Sequence, residues 1–482
     1  MIMAPSKHKY EFGGPLGASA IMVGLPFLFN AFYFICNDKT GCPVPILLSP
    51  VQLNWEAFKS QIPWPHDGIR GFASWETAGW LLMYYMFSMV LFVVLPAEKV
   101  AGIKLRESGR SLEYRFNAFS STVVHLLICA IGTFLQGANF AVWIFISEKY
   151  LQLITCDIIL SFMISVYLYL RSFSVRPGNS ELRELAIGGN TGSHIYDFFI
   201  GRELNPRITL PVFGEIDLKS FLAMRPGLTG WLLLDLAFVA KQYRIYGFIS
   251  NSVLLTTAAQ MYYVLEGQFF EDGLLRMMDI TTDGLGFMLT FGDIVLVPFL
   301  YSTQCRYLAV HPVQLSNGMM IGLSAVFILG LYIFRVFNAQ KLRFRTEPNH
   351  PSVARLPYIQ TKRGTRLLTG GWWGISRHMN YLGDWLQSLP FSAPTALAGY
   401  LILPASVATP SEGAIEMLDG RSVIQGPAKG WGMIFTYCYV VWFATLLIHR
   451  ESRDDAACAK KYGDDWNTYK EIVRWKIIPG IY

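Results

Sequence analysis

The chain has 482 residues, of which 52% are hydrophobic and only 15% charged, with a formal net charge of +6. A soluble chain carries about a quarter charged residues, so this composition excludes an ordinary soluble enzyme and points to lipid as the solvent. The seven cysteines (36, 42, 129, 156, 305, 438, 458) show no repeated spacing and no C-x-x-C pair, which excludes the common zinc and dithiol motifs. The positive charge is spread over loops, a pattern of membrane orientation and phosphate contact rather than of nucleic-acid binding.

Taken in order, ten apolar windows approach the ~20 residues that a spanning helix needs. They are 17–36, 78–96, 122–143, 151–170, 231–248, 253–270, 284–308, 318–337, 391–409 and 431–448. Irregular backbone cannot face lipid, so the predicted fold is all-α, a polytopic membrane bundle of about ten helices. The first window is too long, and lacks the small-residue site, for a cleaved signal peptide. The first four spans read as plain apolar helices with few buried polar groups. Cys36 and Cys42 can meet beyond the first span, but free buried thiols are the expected state. Lys and Arg gather in 98–115, 338–366 and the tail after 448. With ten spans these fall on one side with the N-terminus, which the charge bias assigns to the cytosol. The segments 38–76 and 411–419 fall opposite. Two regions are expected: a bundle over 1–337 with a cytosolic loop at 171–228, and a C-terminal half over 338–482 with two further spans.

Within the cytosolic loop, 192–207 reads GSHIYDFFIGRELNPR, an aromatic run interrupted by charge, Gly and Pro. The next two spans are unusually polar, with Asp235, Lys241, Gln242 and Arg244, then Gln260, Glu266 and Gln268. Ionisable groups at membrane depth face the interior and are functional candidates by default. Glu266 ends the apolar run MYYVLEGQFF, where loss of water favours the neutral acid; a pairing with a nearby cation is the competing role. Asp293 and Gln304 interrupt the span at 284–308. After the eighth span Lys341, Arg343 and Arg345 alternate, and a helix would fan them around one end.

Two polar blocks beside hydrocarbon organise the rest. The first, 367–381, reads LLTGGWWGISRHMNY; its glycines admit close backbone approach, Trp372 and Trp373 offer flat faces, and Asn380 hydrogen-bonds an amide in both senses. It is not a G-x-G-x-x-G turn after a strand, so no Rossmann domain is implied. The second, 449–470, reads HRESRDDAACAKKYGDDWNTYK. Arg450 and Asp454 stand four apart on one helical face, as do Cys458 and Tyr462. Either block alone would pass for interfacial anchoring. Both together, with the cations from 341 to 345, read as walls of one pocket for an anionic cofactor.

These residues also carry a resemblance. Both signature stretches of the sterol reductase family are present, the first matching GSHIYDFFIGRELNPR and the second LLTGGWWGISRHMNY, where Gly370 stands for the usual Ser and Met379 for a common Pro. LPYIQTKRG before the second stretch and the ending KIIPGIY fit as well. GRELNPR, the preceding DFF and MMDITTDGLGFMLTFGD are similar to the C-14 reductase branch. The resemblance implies NADPH-dependent saturation of the C14=C15 bond of a sterol intermediate, in ergosterol or cholesterol synthesis, by an enzyme of the endoplasmic reticulum membrane. It implies that Lys341 and Arg345 hold phosphates, that Leu368 and Trp373 line the cleft, and that Asn380 and Tyr381 contact the cofactor. Asp454, the run Cys458, Ala459, Lys460, Lys461 and Tyr462, and Tyr469 would close the pocket, with Arg450 nearby. An ionic reduction needs a neutral acid in a dry site; Glu266 and Glu271 are the candidates, with Tyr263 as a positioning or relay group. The expected partners are a sterol and membrane lipid, with no metal and no nucleic acid. Alternatives are a reductase of C-7 or C-24(28) specificity, or an isoprenylcysteine-methyltransferase-like enzyme using S-adenosylmethionine, whose C-terminal pattern is similar. A scaffold like the nuclear-envelope relatives would need a long basic N-terminal region, which ten residues do not supply.

Overall fold

The computed structural model describes residues 10–176, 182–406 and 413–482. Among them, eight helical stretches have the length and apolar composition to cross a membrane: Gly14–Ile35, Gly68–Val94, Ala118–Asn139, Tyr150–Ser172, Leu218–Tyr246, Phe287–Val310, Asn317–Thr346 and Met433–Tyr462. The chain is therefore a multi-pass helical membrane protein. The helix Asn251–Phe269 is also of spanning length, but Gln260, Glu266 and Gln268 lower its apolar content and it falls outside the eight.

The window at 391–409 is not a span. Its described part holds the end of the helix Met379–Ser392, the turn Ala393–Thr395 and the strand Tyr400–Leu403; 407–409 lie outside the described residues. Pro394 has no N–H to continue a helix. Gly399, at φ +142°, lies so close to Ala428 that a Cβ would meet its carbonyl oxygen at 1.7 Å. A four-stranded antiparallel sheet forms instead, in the order Gly41–Cys42, Tyr400–Leu403, Ser422–Ile424, Ile415–Glu416, with Gly41 opposite Leu401 and Val423 opposite Ile402.

That sheet also overturns the expectation of free thiols at 36 and 42, which are joined as a disulfide. After the first span Asn37 accepts from the backbone N–H of Lys39 and Thr40, both at 2.9 Å. Its own N–H donates to the Gly41 carbonyl at 3.0 Å. The tight turn brings Cys42 back beside Cys36. The polar segment at 338–366 is likewise only partly a loop, because the long helix runs on to Thr346.

By internal contact the chain divides into two units. The first comprises 1–249, 260–312 and 397–432; the second comprises 250–259, 313–396 and 433–482. The first four spans, all in the first unit, are not plain. They bury Thr77, Ser88, Ser121, Thr122, His125, Asp157, Ser161 and Ser165; Thr122 pairs across helices with Thr229 at 2.7 Å and Asp157 with Tyr85 at 2.6 Å, while Ser161 and Ser165 bond carbonyls of their own helix.

The stretch GSHIYDFFIGRELNPR packs under this bundle. Asp197 accepts from the N–H and hydroxyl of Thr191 at 2.8 Å each and from the Gly192 N–H at 3.0 Å. Buried Glu203 pairs with Arg171 at 3.0 Å and Arg183 at 2.8 Å. Gly201, at φ +94°, sits where a Cβ would meet the Gly286 nitrogen at 2.3 Å. In the second unit, Asn317–Thr346 and Met379–Ser392 meet backbone to backbone at Gly330 and Gly383, where a Cβ on Gly383 would lie 2.6 Å from the Phe334 nitrogen. Small residues at the crossing are how membrane helices gain close packing without a hydrophobic drive.

Candidate functional site

The second unit assembles its polar residues from the end of the long helix Asn317–Thr346. Gln340 and Phe337, a turn apart, hold the GGWWG turn. The Gln340 side-chain oxygen accepts from the Trp372 N–H at 2.9 Å and the Trp373 N–H at 3.4 Å, and the Trp373 indole donates to the Phe337 carbonyl at 2.7 Å. Gly371, at φ +63°, has no room for a Cβ, which would meet the Gln340 amide at 2.6 Å. Gly370 presses on Pro357, whose ring carbon would be 2.3 Å from a Cβ there, so the turn is tightly packed with glycine in place of the usual Ser. Trp373 and Leu368 are buried in one apolar cluster with Phe337, Phe344 and Val353, while Trp372 is exposed.

Over this floor lie the cations. The Lys341 ammonium sits 3.9 Å from the centre of the Trp373 ring, a cation–π contact. Arg345, one turn on, is exposed. Asp454 interacts electrostatically with Lys341, Arg345 and His378, and His378 Nε2 lies 3.2 Å from an Asp454 oxygen. The His378 ring stacks on Tyr381 at 4.8 Å and 15°. Asn380 donates to Asn338 at 3.3 Å, and its buried side-chain oxygen has no hydrogen-bond partner among the described residues.

The C-terminal block is clamped to the first one. Arg377 donates to the Val473 and Arg474 carbonyls at 2.9 and 3.1 Å and faces buried Glu451 at 3.9 Å. Lys476 meets the other Glu451 oxygen at 3.3 Å, and the Tyr482 hydroxyl donates to that oxygen at 3.4 Å. The hairpin Tyr358–Gln360 and Arg366–Leu368 reaches the same block, with the Lys362 N–H on Asp465 at 2.8 Å and Arg363 on the Lys461 carbonyl at 3.1 Å. Tyr462, Trp466 and Tyr469 stack in file, the last pair 4.8 Å apart, and Cys458 packs against them.

The structure thus brings Lys341, Arg345, Asp454, His378 and Tyr381 together, with Asn380 adjoining and Tyr469 below. Arg450 is half-buried one turn before Asp454, and Ala459, Lys460 and Lys461 are exposed. Leu368 and Trp373 serve as buried floor. Sequence reasoning missed Gln340, Glu451 and the pairing of His378 with Asp454. Only the last had a signal, a histidine and a carboxylate in the two polar blocks beside hydrocarbon.

The acid candidates lie in the first unit. Glu271, buried, accepts from the Ala118 N–H at 2.8 Å, capping the helix Ala118–Gln136, and faces Arg225 at 3.4 Å. Burial pushes its carboxyl up while Arg225 and the Ala118 N–H oppose the rise. Arg225 donates to Asn117 at 2.7 Å. Glu266 is half-buried on the helix Asn251–Phe269, one turn from Tyr263. The Tyr263 ring lies 6.2 Å from Trp231, which in turn meets Tyr301 edge-on at 5.0 Å.

With this geometry in view, comparison with known proteins is direct. The profile described as "Ergosterol biosynthesis ERG4/ERG24 family" matches residues 6–482. The chain belongs to the ERG4/ERG24 family. It is 61% identical to the delta(14)-sterol reductase ERG24B of Gibberella zeae, covering 99% of this chain and all of that protein. It is 55% identical to the delta(14)-sterol reductase of Neurospora crassa, across 100% of this chain and 97% of that one. The delta(14)-sterol reductase ERG24 of Candida albicans is 37% identical over 98% of both chains. The similarity spans both units rather than one motif.

Proposed function

We propose that this protein is a delta(14)-sterol reductase, an oxidoreductase that saturates the C14=C15 bond of a sterol intermediate with NADPH. The observation that carries the reading is full-length similarity, at 61% identity, to a protein named for that activity. It acts in the endoplasmic reticulum membrane; with Asn251–Phe269 and the helix Met379–Ser392 crossing beside the eight spans, both termini and the cofactor pocket face the cytosol. The Cys36–Cys42 disulfide supports that orientation, because it follows one span from a cytosolic N-terminus, on the oxidising side. The functional division follows 1–337 for the sterol and 338–482 for the cofactor.

The residues present suit NADPH. Lys341 and Arg345 offer two cations one turn apart for phosphates, the 2′-phosphate among them. The unpartnered Asn380 oxygen accepts from a carboxamide N–H, and its amide is already oriented by Asn338. Asp454 holds His378 in place and limits the net positive charge of the wall. Tyr462 and Tyr469 close the lower side with Cys458, flanked by Ala459, Lys460 and Lys461; Arg450 and Tyr381 flank Asp454 and Asn380. When bound, NADPH supplies hydride to C14.

The protein's own task is the proton. A diene with no electron-withdrawing group takes no hydride until it is protonated, so an enzyme acid must deliver H⁺ to C15 as allylic positive charge grows at C14. Glu266, half-buried at the end of an apolar run, takes that role; Glu271 caps a helix terminus and pairs with a buried arginine. Tyr263, one turn before Glu266, positions or relays the proton. The proton and hydride together account for the two hydrogens gained.

The test is incubation of the purified protein with NADPH and a Δ8,14-diene sterol, following conjugated-diene absorbance. Loss of absorbance with one NADPH consumed per sterol is expected. An unchanged diene with folded protein would overturn the proposal.

A further inference from the structure

The first unit contains a cavity of about 540 Å³ that none of the proposed cofactor or acid residues lines. It lies among the helices Trp75–Val94, Ala118–Gln136, Ala141–Glu148, Tyr150–Ser172 and Leu228–Tyr246. Its lining is mostly apolar, and Trp80, Met83, Ile128 and Val142, which contribute to it, are exposed on helices that face lipid. The opening is therefore toward the membrane. Exposed Glu76 is one polar group on this wall, and a second set is buried. Buried Asp157 accepts from the Tyr85 hydroxyl at 2.6 Å. His125 holds its ring between the Ser121 carbonyl, at 2.8 Å, and Ser88, at 3.4 Å, with the Tyr84 ring 5.6 Å away. Tyr85 stands ten residues along its helix, roughly 15 Å from its start, well below the headgroup level.

We infer that this cavity is a second lipid site, which holds a sterol by its single hydroxyl at Asp157 and Tyr85, apart from the reductase chemistry. A carboxyl, a phenol and an imidazole at membrane depth are costly unless they serve a ligand or each other, and they sit on the wall of an open cavity of ligand size. A phospholipid would have to carry its charged headgroup to that depth. One hydroxyl fits, hydrogen-bonding the Asp157 carboxyl as Tyr85 does. The aromatic faces of Trp80, Tyr84, Phe87 and Phe145 suit a rigid ring system, which loses little entropy on binding. The choice of a sterol among hydroxylated lipids rests on the reductase reading.

The experiment is photolabelling of the full-length protein in lipid nanodiscs with a diazirine-bearing sterol that keeps its 3-hydroxyl, adducts being mapped by mass spectrometry. Adducts are expected on Trp75–Val94 and Ala118–Gln136. Unlabelled sterol should compete; its 3-methyl ether, which loses the donated hydrogen bond, should compete about two- to tenfold less well, and octadecanol, which keeps a hydroxyl but lacks the rigid rings, should compete less well through the cost of ordering its chain. Asp157→Asn should reduce labelling by a factor similar to that of the ether. Gly230→Leu provides the second variant: its Cβ would start in ordinary contact, 3.6 Å from the Tyr84 hydroxyl, and its side chain would fill the cavity. Absence of adducts on those helices, equal competition by octadecanol, or unchanged labelling in folded Gly230→Leu protein would overturn the inference. Labelling requires no turnover, so a protein that binds the probe but reduces no diene would sink the reductase reading and leave this site standing.

Discussion

Replacing Lys341 with Met isolates the cation that the proposed cofactor wall depends on. Met keeps the unbranched stem that lies over Trp373 and its sulfur still meets the ring favourably, at ~0.3–1.5 kcal/mol. The lost cation–π contact, 3.9 Å from ring centre to ammonium, is worth about 0.5–2 kcal/mol, so the fold should lose less than about 1 kcal/mol net. Binding loses far more. A charge-assisted hydrogen bond contributes ~1.5–3 kcal/mol, and 1.4 kcal/mol is tenfold, so NADPH affinity should fall about 10- to 150-fold. Arg345 is exposed, and an exposed ion pair is worth ~0.2–1 kcal/mol; Arg345→Met should cost about fivefold at most, more at low salt. NADPH titration by tryptophan fluorescence measures both, and steady-state kinetics should show raised KM with kcat little changed. A Lys341→Met protein that melts like wild type and binds NADPH within about threefold of it would refute the assignment and the pocket built on it.

Three further outcomes follow from the same geometry. The Lys241 ammonium beside Asp38 holds its carboxyl down to about 2 from an ordinary 3.8. That stabilisation is present above the ordinary value and is lost as pH falls through about 2; melting temperatures from pH 5 to pH 2 should therefore drop more steeply for wild type than for Asp38→Asn, and equal slopes would exclude the pair. Gly383→Val places its Cβ against the Phe334 nitrogen at 2.6 Å and the Gly330 oxygen at 2.8 Å, where only backbone can yield, so thermal melts should show a loss of about 1–3 kcal/mol or more, with weakened NADPH binding alongside. Glu266→Gln should abolish diene reduction and leave NADPH affinity and melting intact, whereas Glu271→Gln should strip a partner from buried Arg225 at a cost of ~3–5 kcal/mol; full activity in Glu266→Gln would remove it from the proton step.

The spans were legible because hydropathy reports the solvent that a segment meets, and membrane solvent is uniform along a helix. Where the partner is another part of the chain, the same average misleads. The window at 391–409 is as apolar as a span, but Pro394 and the contact of Gly399 with Ala428 give a strand, Tyr400–Leu403, that pairs with Gly41–Cys42 just after the turn that brings Cys42 beside Cys36. His125 and Asp157 vanish into apolar windows for the same reason: one polar residue in twenty barely moves a mean, and its meaning lies in Ser88 and Tyr85 on a different helix. The candidate cofactor wall divides along this line. Lys341, Arg345, Arg377, His378 and Asp454 stood out as charge against hydrocarbon. Gln340 did not, since a glutamine in a polar helix end has no pattern, yet it fixes the turn that carries both tryptophans. Glu451 was equally silent. It is fully buried, and Arg377 and Lys476 from two distant segments converge on it. Removing either cation would leave a buried carboxylate short of charge, so the two polar blocks hold their places through a residue that touches no proposed ligand.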